Sequence, residues 1–281
     1  MVSCPVSLVS FVDSRFGSVR ERLLAQAREF DCIAEVAVLT ELDLDAQFVQ
    51  RFRAVLRKRV RGFGFYSWKP QVIQQSLRAL PDGSLLVYVD GGSHLNSAGE
   101  GRFKDYLQKC HSSETGILAF QTHWTERNWT KGDLLDHFAV RDNPLVTETG
   151  QVQAGLLFLR NTAETRAFVD SWAKVFWDNF SLADDTPSRS PNLEGFIEHR
   201  HDQSIFSLLA KLRGIEVLSA NEQEPSSDAS RGLEVMPVVH ARDIASRAHT
   251  LKSRMRRIRE LTDLALVRLK KRGLRFLGWN K

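Results

Sequence analysis

Short apolar runs alternate along this chain with stretches in which apolar residues recur every three or four positions. Ser7–Val12, Ile33–Leu39, Leu85–Val89, Ile117–Phe120 and Gln153–Arg160 are runs bounded by polar or turn residues, the pattern of strands covered on both faces. Between them Val19, Leu23, Ala27 and Phe30, then Leu44, Phe48, Phe52, Val55 and Leu56, then Val72, Ile73, Leu77 and Leu80 keep helical spacing. Thr165–Phe176 and Asp202–Leu212 read as two further helices. Pro70 suits a first helical turn, and Pro81-Asp82-Gly83 closes that helix before the Leu85 strand. The alternation predicts an α/β fold with helices flanking a mixed, mostly parallel central sheet. Leu233–Val239 reads as a last strand that delivers His240 to an edge, and the polar Asn221–Gly232 before it as a mobile loop. There is no internal repeat.

Charge divides the chain. It carries 39 Lys and Arg against 34 Asp and Glu, but residues 241–281 hold 13 of the basic and 3 of the acidic side chains, leaving 26 and 31 in residues 1–240. We therefore expect a folded domain over 1–240 and a basic extension over 241–281. A composition 42% hydrophobic and 26% charged is that of a soluble globular protein. Cys4, Cys32 and Cys110 are scattered, which suits a reducing compartment and neither a disulfide framework nor a zinc site. No run approaches the roughly 18 apolar residues of a spanning helix. The opening MVSCPVSLVSF lacks the basic lead of a signal peptide, so it reads as the first strand of a cytoplasmic protein.

The sharpest chemical signal is Asp90, which ends the run LLVYV and precedes Gly91 and Gly92. Ligands of open α/β sheets sit beyond the carboxyl ends of the strands. A carboxylate there, beside residues without bulk, can hold a metal bound to phosphates; Asp-Gly is equally a common turn pair. Further polar clusters fall at expected strand ends: Asp13 with Arg15, His94 with Asn96, Trp129-Thr130-Lys131 with Asp133, Gln153-Ala154-Gly155, Glu198 to Gln203, and His240. Lys131 is either a point charge for phosphate or a solvated lysine, and His240 either a ligand or a core histidine. Asp202 can cap the helix bearing Ile205, Phe206, Leu208 and Leu209 and still supply a carboxylate. His199 and His201 lack the spacing of a helical zinc pair, and Phe63, Phe65, Tyr66 and Trp68 either join the core or stack on a base or sugar. A lysine-bearing phosphate loop is absent, and Ser67 stands at the third position of the Gly62-x-Gly64 series, so the dinucleotide fingerprint is absent too.

Taken in order over residues 7–210, SFVDSRF, RGFGFYSWKP, LLVYVDGG, the WTKGD run, QAGLLFLRN and EHRHDQSIFSLL resemble a family of bacterial glycosyltransferases of the GT-A fold found in capsule and O-antigen loci. The resemblance implies a GT-A-like fold with a nucleotide-sugar donor, UDP by default, bound by about 1–120 and an acceptor bound by about 121–240. Phe11, Asp13 and Arg15 would then meet base and ribose, and Trp68, Lys69, Gly91, Gly92, Lys131, Asp133, Ala154 and Gly155 would join them around the donor. Asp90 stands for the metal-binding acid of a D-x-D motif whose second acid is here Gly92, and His240 resembles the histidine that completes such a site for manganese or magnesium. Gln153 takes the place of an asparagine beneath the donor sugar. Asp202 or Glu198 would be the base of an inverting enzyme, Gln153 or Asp202 would flank the anomeric centre of a retaining one, and His199, His201 and Gln203 would line the acceptor side.

In the extension, Ile244, Ala248, Leu251, Met255, Ile258, Ala265 and Leu269 keep spacings of three and four apart from one step of seven, and Trp279 lies near the end. A basic amphipathic helix over 244–281 suits an anionic membrane surface, with a helix packed on the domain as the other reading. Membrane binding fits a peripheral enzyme at the inner membrane acting on a lipid-linked glycan. Nucleic acid is not an expected partner, because the body is acidic and carries no such motif. Two other functions use the same residues: a nucleotidyltransferase releasing pyrophosphate, and a non-catalytic sugar- or membrane-binding scaffold of transferase ancestry, which Gly92 favours.

Overall fold

A computed structural model of the chain describes residues 5–223 and 236–240. The apolar runs become the middle of the molecule: β1 (Val6–Phe11), β3 (Leu85–Val89) and β6 (Gly150–Arg160) are buried along almost their whole length. With β2 (Ile33–Leu39), β5 (Ile117–Thr125) and β7 (Glu216–Ser219) they form one sheet in the order β2-β1-β3-β6-β5-β7. β1 is parallel to β2 and β3, and β5 to β7, while β6 runs against both of its neighbours. Five strands thus point one way and one is reversed, which is the mixed, mostly parallel α/β sheet expected.

Because side chains alternate across a strand, the sheet feeds two separate cores. On one face Leu8, Leu85, Val87, Leu156 and Phe158 pack with α1 (Gly17–Ala27), through Leu23 and Ala27, and with α4 (Glu100–Ser112), through Phe103, Tyr106 and Leu107. On the other face Val9, Phe11, Leu86, Tyr88, Leu157 and Leu159 meet α2 (Ala46–Phe52), α3 (Trp68–Ala79), α5 (Gly132–His137), α6 (Ala163–Asp178) and α7 (Asp202–Arg213). Each large apolar side chain so covered contributes about 1.5–3 kcal/mol. Local chemistry fixes the helix ends. Asp45 accepts from the Gln47 and Phe48 amides, Thr162 accepts from the Thr165 amide, and Gly214 closes α7 in the left-handed region.

A small second sheet pairs β4 (His94–Leu95) with β8 (Val238–Val239) in antiparallel fashion. The expected strand Leu233–Val239 is therefore two residues long where it is described, and residues 233–235 lie outside the described chain. The expectation of a mobile polar loop also changes at its start. Glu222 accepts from Arg102 at 2.8 and 2.9 Å and from the Tyr106 hydroxyl, and Gln223 is buried; residues 224–235 are not described. The basic extension and its expected helix likewise lie outside the described residues. Among the described residues no helix is long and apolar enough to cross a membrane.

β8 reaches its place because Gly99 has no side chain. A Cβ there would stand 2.5 Å from the Pro237 nitrogen and 2.7 Å from the Met236 carbonyl carbon, both backbone atoms. Gly99→Ala is expected to push residues 236–240 outward and weaken the Asn96 amide bond to the Pro237 oxygen, 2.9 Å in the native chain. Hydrogen exchange at the Asn96 amide should then rise by about tenfold or more, the effect of an overpacking cost of about 1–3 kcal/mol. Unchanged exchange would show that the close approach does not hold the segment.

Candidate active site

β3 delivers Asp90 to the carboxyl edge of the sheet, and the Asp90–Ser93 turn is closed by the Ser93 amide donating to the Asp90 oxygen at 2.9 Å. Arg22 of α1 pins this turn from the side, donating to the Gly91 and Ser93 oxygens at 2.9 and 2.7 Å. Beneath it, α3 begins with Trp68 and Lys69, with Pro70 in the first turn where its missing amide costs nothing. The Lys69 side chain is 4% exposed, and its ammonium lies 3.1 Å from Asp90 Oδ1 and 2.8 Å from Asp202 Oδ2. The Tyr88 hydroxyl donates to the same Asp90 oxygen at 2.7 Å. Three elements distant in sequence thus meet in one carboxylate–ammonium–carboxylate arrangement, buried at Lys69 and Asp202 and partly open at Asp90.

One cation serves two carboxylates, so one of them is under-compensated. Burial pushes the Asp202 carboxyl up to about 6, the nearby Asp90 charge adding to the effect and Lys69 opposing it. Burial would pull the Lys69 ammonium down, but Asp202 and Asp90 together outweigh it and raise its pKa, so the lysine stays charged. On the far side of Asp90, a Cβ on Gly155 would lie 3.0 Å from Asp90 Oδ2 and 3.3 Å from His240 Cε1. Carboxylate and imidazole therefore face one spot that only a glycine leaves open, and the Asp90 amide donates to the Gly155 oxygen at 2.8 Å beneath it. The β4–β8 pairing brings His240 there, with Nδ1 2.8 Å from the Ser93 hydroxyl and its amide donating to the Gln223 oxygen. Burial lowers the His240 pKa and Asp90 only partly restores it, so the ring is neutral at neutral pH.

The aromatic loop before α3 holds stored strain. Gly62, Phe63, Gly64, Phe65 and Tyr66 have φ of 56°, 53°, 98°, 54° and 61°, five consecutive residues in the left-handed half of backbone space, which costs L-residues about 1–2 kcal/mol each. The turn folds the Tyr66 ring back over Gly62, where a Cβ would lie 2.5 Å from it, and sets the ring 5.6 Å from the Lys69 ammonium. His201, φ 53°, is a second strained position immediately before Asp202, and its ring packs tilted against that of Phe65, centroids 5.1 Å apart. Strain of this kind concentrates at functional sites.

No protein-family model and no curated protein matches the chain. Its fold is similar to those of solved glycosyltransferases. It resembles the apo form of the bifunctional glycosyltransferase WbbM, at 12% identity and a TM-score of 0.46, over 85% of this chain and 46% of that one, so it spans about half of that protein. It is also similar to mouse xyloside xylosyltransferase 1, at 13% identity and a TM-score of 0.42, over 85% of each chain. A third likeness is the galactosyltransferase LgtC in complex with donor and acceptor sugar analogues, at 12% identity and a TM-score of 0.42, over 85% and 88%.

The structure brings together Asp90, Gly91, Gly92, Lys69, Gly155, Asp202 and His240, and gives other expected residues different positions. Lys131 is not poised for phosphate: its ammonium is buried and donates to the oxygens of Ser181, Asp184 (2.9 Å) and Thr186 (3.2 Å), which ties down the 180–186 segment. Asp133 accepts from the Arg189 and Ser190 amides at 2.9 and 2.8 Å and organises the following loop. Phe11 and Trp68 stack at 4.0 Å inside the core, and Ala154 is fully buried, so none of the three offers its side chain to a donor. His199 and His201 are buried: one accepts from the Lys131 amide at 3.4 Å, the other donates from Nδ1 to the Ala183 oxygen at 2.7 Å, and burial lowers the pKa of both. Gln203 donates to Gln151 at 2.8 Å. These are packing roles on the side where an acceptor was expected. Asp13 and Arg15 form a bidentate pair at 2.6 and 2.8 Å at the end of β1; burial alone would raise the Asp13 pKa, and the guanidinium holds it down. Glu198 pairs with Arg61 at a half-exposed position, and Gln153 is 9% exposed on β6. Sequence reasoning did not foresee Tyr88 or Ser93 at the site, and it offered Tyr66 only as a core or stacking residue, not as a ring beside the Lys69 ammonium. The Gly62-x-Gly64 spacing was the available hint of left-handed backbone there.

Proposed function

We propose that the chain transfers a sugar from a nucleotide-sugar, UDP being the default nucleotide, to a lipid-linked glycan, as a peripheral enzyme on the cytoplasmic side of the inner membrane in surface polysaccharide synthesis. The observation that carries sugar transfer is the meeting of Asp90, Lys69 and His240 around the open spot at Gly155, beyond the carboxyl end of β3. The lipid-linked acceptor and the membrane location rest on the sequence resemblance and the basic extension.

Among the described residues, no three His, Cys, Asp or Glu side chains form a metal cage. Asp90 Oδ1 is engaged by Tyr88 and Lys69, and His240 uses Nδ1 on Ser93, which leaves Asp90 Oδ2 and His240 Nε2. One carboxylate and one imidazole would suit a divalent manganese or magnesium, with Asp90 Oδ2 and His240 Nε2 as the side-chain atoms that would hold it. With Nε2 as the ligand, the ring keeps its proton on Nδ1 and donates to the Ser93 hydroxyl, a usual outer-shell partnership. A metal so held supplies positive charge to the departing nucleoside diphosphate. Lys69, oriented by Asp202, adds a fixed ammonium beside Asp90. Asp202 is 3% exposed and reaches Lys69, so it acts through that lysine. The half-exposed Glu198 is the better candidate base for an acceptor hydroxyl, and the acceptor oxygen replaces the diphosphate oxygen on the anomeric carbon.

The test is nucleoside diphosphate release from UDP-, GDP- and dTDP-sugars, with and without manganese. Release from one donor, raised by manganese, is the expected result. Release of pyrophosphate from a nucleoside triphosphate instead would make the chain a nucleotidyltransferase. No turnover, together with no calorimetric binding of any donor, would return the scaffold reading.

A further inference from the structure

Residues 51–61, RFRAVLRKRVR, hold six of the 26 Lys and Arg of residues 1–240 and no acid, in a body that is otherwise strongly acidic. The segment leaves the end of α2 as a fixed turn. The Val55 and Leu56 amides donate to the Phe52 oxygen at 2.9 and 3.0 Å, and the Val60 amide to the Arg57 oxygen at 2.9 Å. Phe52 is buried, and Val55 and Leu56 pack partly against the same core. Anchoring the apolar residues inward turns the basic ones outward: Arg51, Arg53, Arg57, Lys58 and Arg59 are exposed. Arg61 pairs with Glu198, but no carboxylate of the described residues lies within ion-pair distance of Arg53, Arg57, Lys58 or Arg59.

Apolar side chains border this cationic turn. The Arg15 guanidinium donates to the Lys58 oxygen at 2.7 Å and lies 5.2 Å from the ring of Phe16, which is 49% exposed. Ser14, beside it, donates through its amide to Glu41 at 2.8 Å, and Leu42, next in the chain, is 88% exposed. Cations fixed by backbone bonds, with an exposed phenyl ring and an exposed leucine at their border, match the interfacial zone of an anionic bilayer, which takes charge at the headgroups and apolar groups just below. These residues follow the carboxyl ends of β1 and β2, the edge of the sheet from which Asp90 also projects.

We propose that the 51–61 turn, with Phe16 and Leu42, is a docking surface for an anionic lipid membrane, separate from the basic extension. The surface stands whether or not the chain transfers sugar. It is tested with the full chain by co-sedimentation with phosphatidylglycerol-containing vesicles, against vesicles of phosphatidylcholine alone. The triple variant Arg53→Gln/Arg57→Gln/Arg59→Gln changes exposed side chains and spares the Lys58 oxygen that Arg15 uses. At about fivefold per charge, it should lower partition into anionic vesicles on the order of 100-fold at low salt, with the gap narrowing as salt is raised. Leu42→Ser should lower it several-fold without changing heparin binding. Equal partition of triple variant and wild type, or no preference of the wild type for anionic vesicles, overturns the proposal. A triple variant that loses heparin binding while Leu42→Ser keeps full vesicle binding overturns it in favour of a soluble polyanion.

Discussion

Lys69→Met is expected to lower the melting temperature by roughly 10 °C, from a stability loss of about 3–5 kcal/mol. Methionine keeps the length and apolar stem but removes the cation, which leaves the Asp202 carboxylate, 5% exposed, with no counter-charge in a dry site. The Asp90 pair contributes much less to this loss, because its carboxylate is 39% exposed and water screens it. The pH dependence separates this cause from simple mispacking. The Asp202 carboxyl, near 3.8 when unfolded, is raised to about 6 in the fold, so its stabilising contribution is complete below about 3.8 and disappears as pH rises through about 6. Above that pH the native state holds a charged buried carboxylate that needs Lys69; well below it the acid is neutral and needs no partner. The deficit of Lys69→Met should therefore be full at pH 8 and clearly smaller at pH 5, and Lys69→Met/Asp202→Asn should recover most of it at pH 8. Thermal unfolding of the three proteins at both pH values checks this, and a deficit independent of pH would refute the account.

How far the sequence discloses such a site depends on how each residue is placed. The fold was readable because β1, β3 and β6 are covered on both faces and so appear as unbroken apolar runs. α4 was readable but hidden: Phe103, Tyr106, Leu107 and Cys110 keep helical spacing inside the otherwise polar EGRFKDYLQKCHS. β7 left no signal, being a four-residue edge strand with mostly exposed side chains. At the site, Asp90 was legible because a strand end fixes where its first polar residue goes. Lys131 and Lys69 were not separable in the same way, since both lie in short polar motifs beside tryptophan. What separates them is three-dimensional: carbonyl oxygens of a later loop converge on Lys131, whereas the start of α7 brings Asp202 to Lys69. The histidines show the same limit. Adjacent polar residues in EHRHDQS look like one accessible cluster, yet the strained backbone at His201 turns that ring into the protein against Phe65 and Ala183.

Asp90→Asn should leave the fold almost intact and reduce donor turnover on the order of 100- to 1000-fold, the range found when one group that holds developing charge is removed. The amide keeps the size of the carboxylate, and its oxygen can still accept from the Tyr88 hydroxyl, which donates to Oδ1 in the native chain. Lys69 retains Asp202, so the buried ion pair survives. What disappears is the negative charge of Oδ2 facing the spot beside His240 and Gly155. If that oxygen and His240 hold a divalent metal with the diphosphate, the variant should need far more manganese than the wild type to reach its own maximal rate. Gly155→Ala attacks the same spot by volume: its Cβ would stand 3.0 Å from Oδ2, so it should weaken donor binding while the charge remains. Nucleoside diphosphate release measured against manganese and donor concentration distinguishes the two variants, by loss of metal response in one and of donor affinity in the other. Turnover by Asp90→Asn within about threefold of wild type, far short of the loss of about 100-fold or more that removing one such charge brings, would place the reacting centre away from the end of β3.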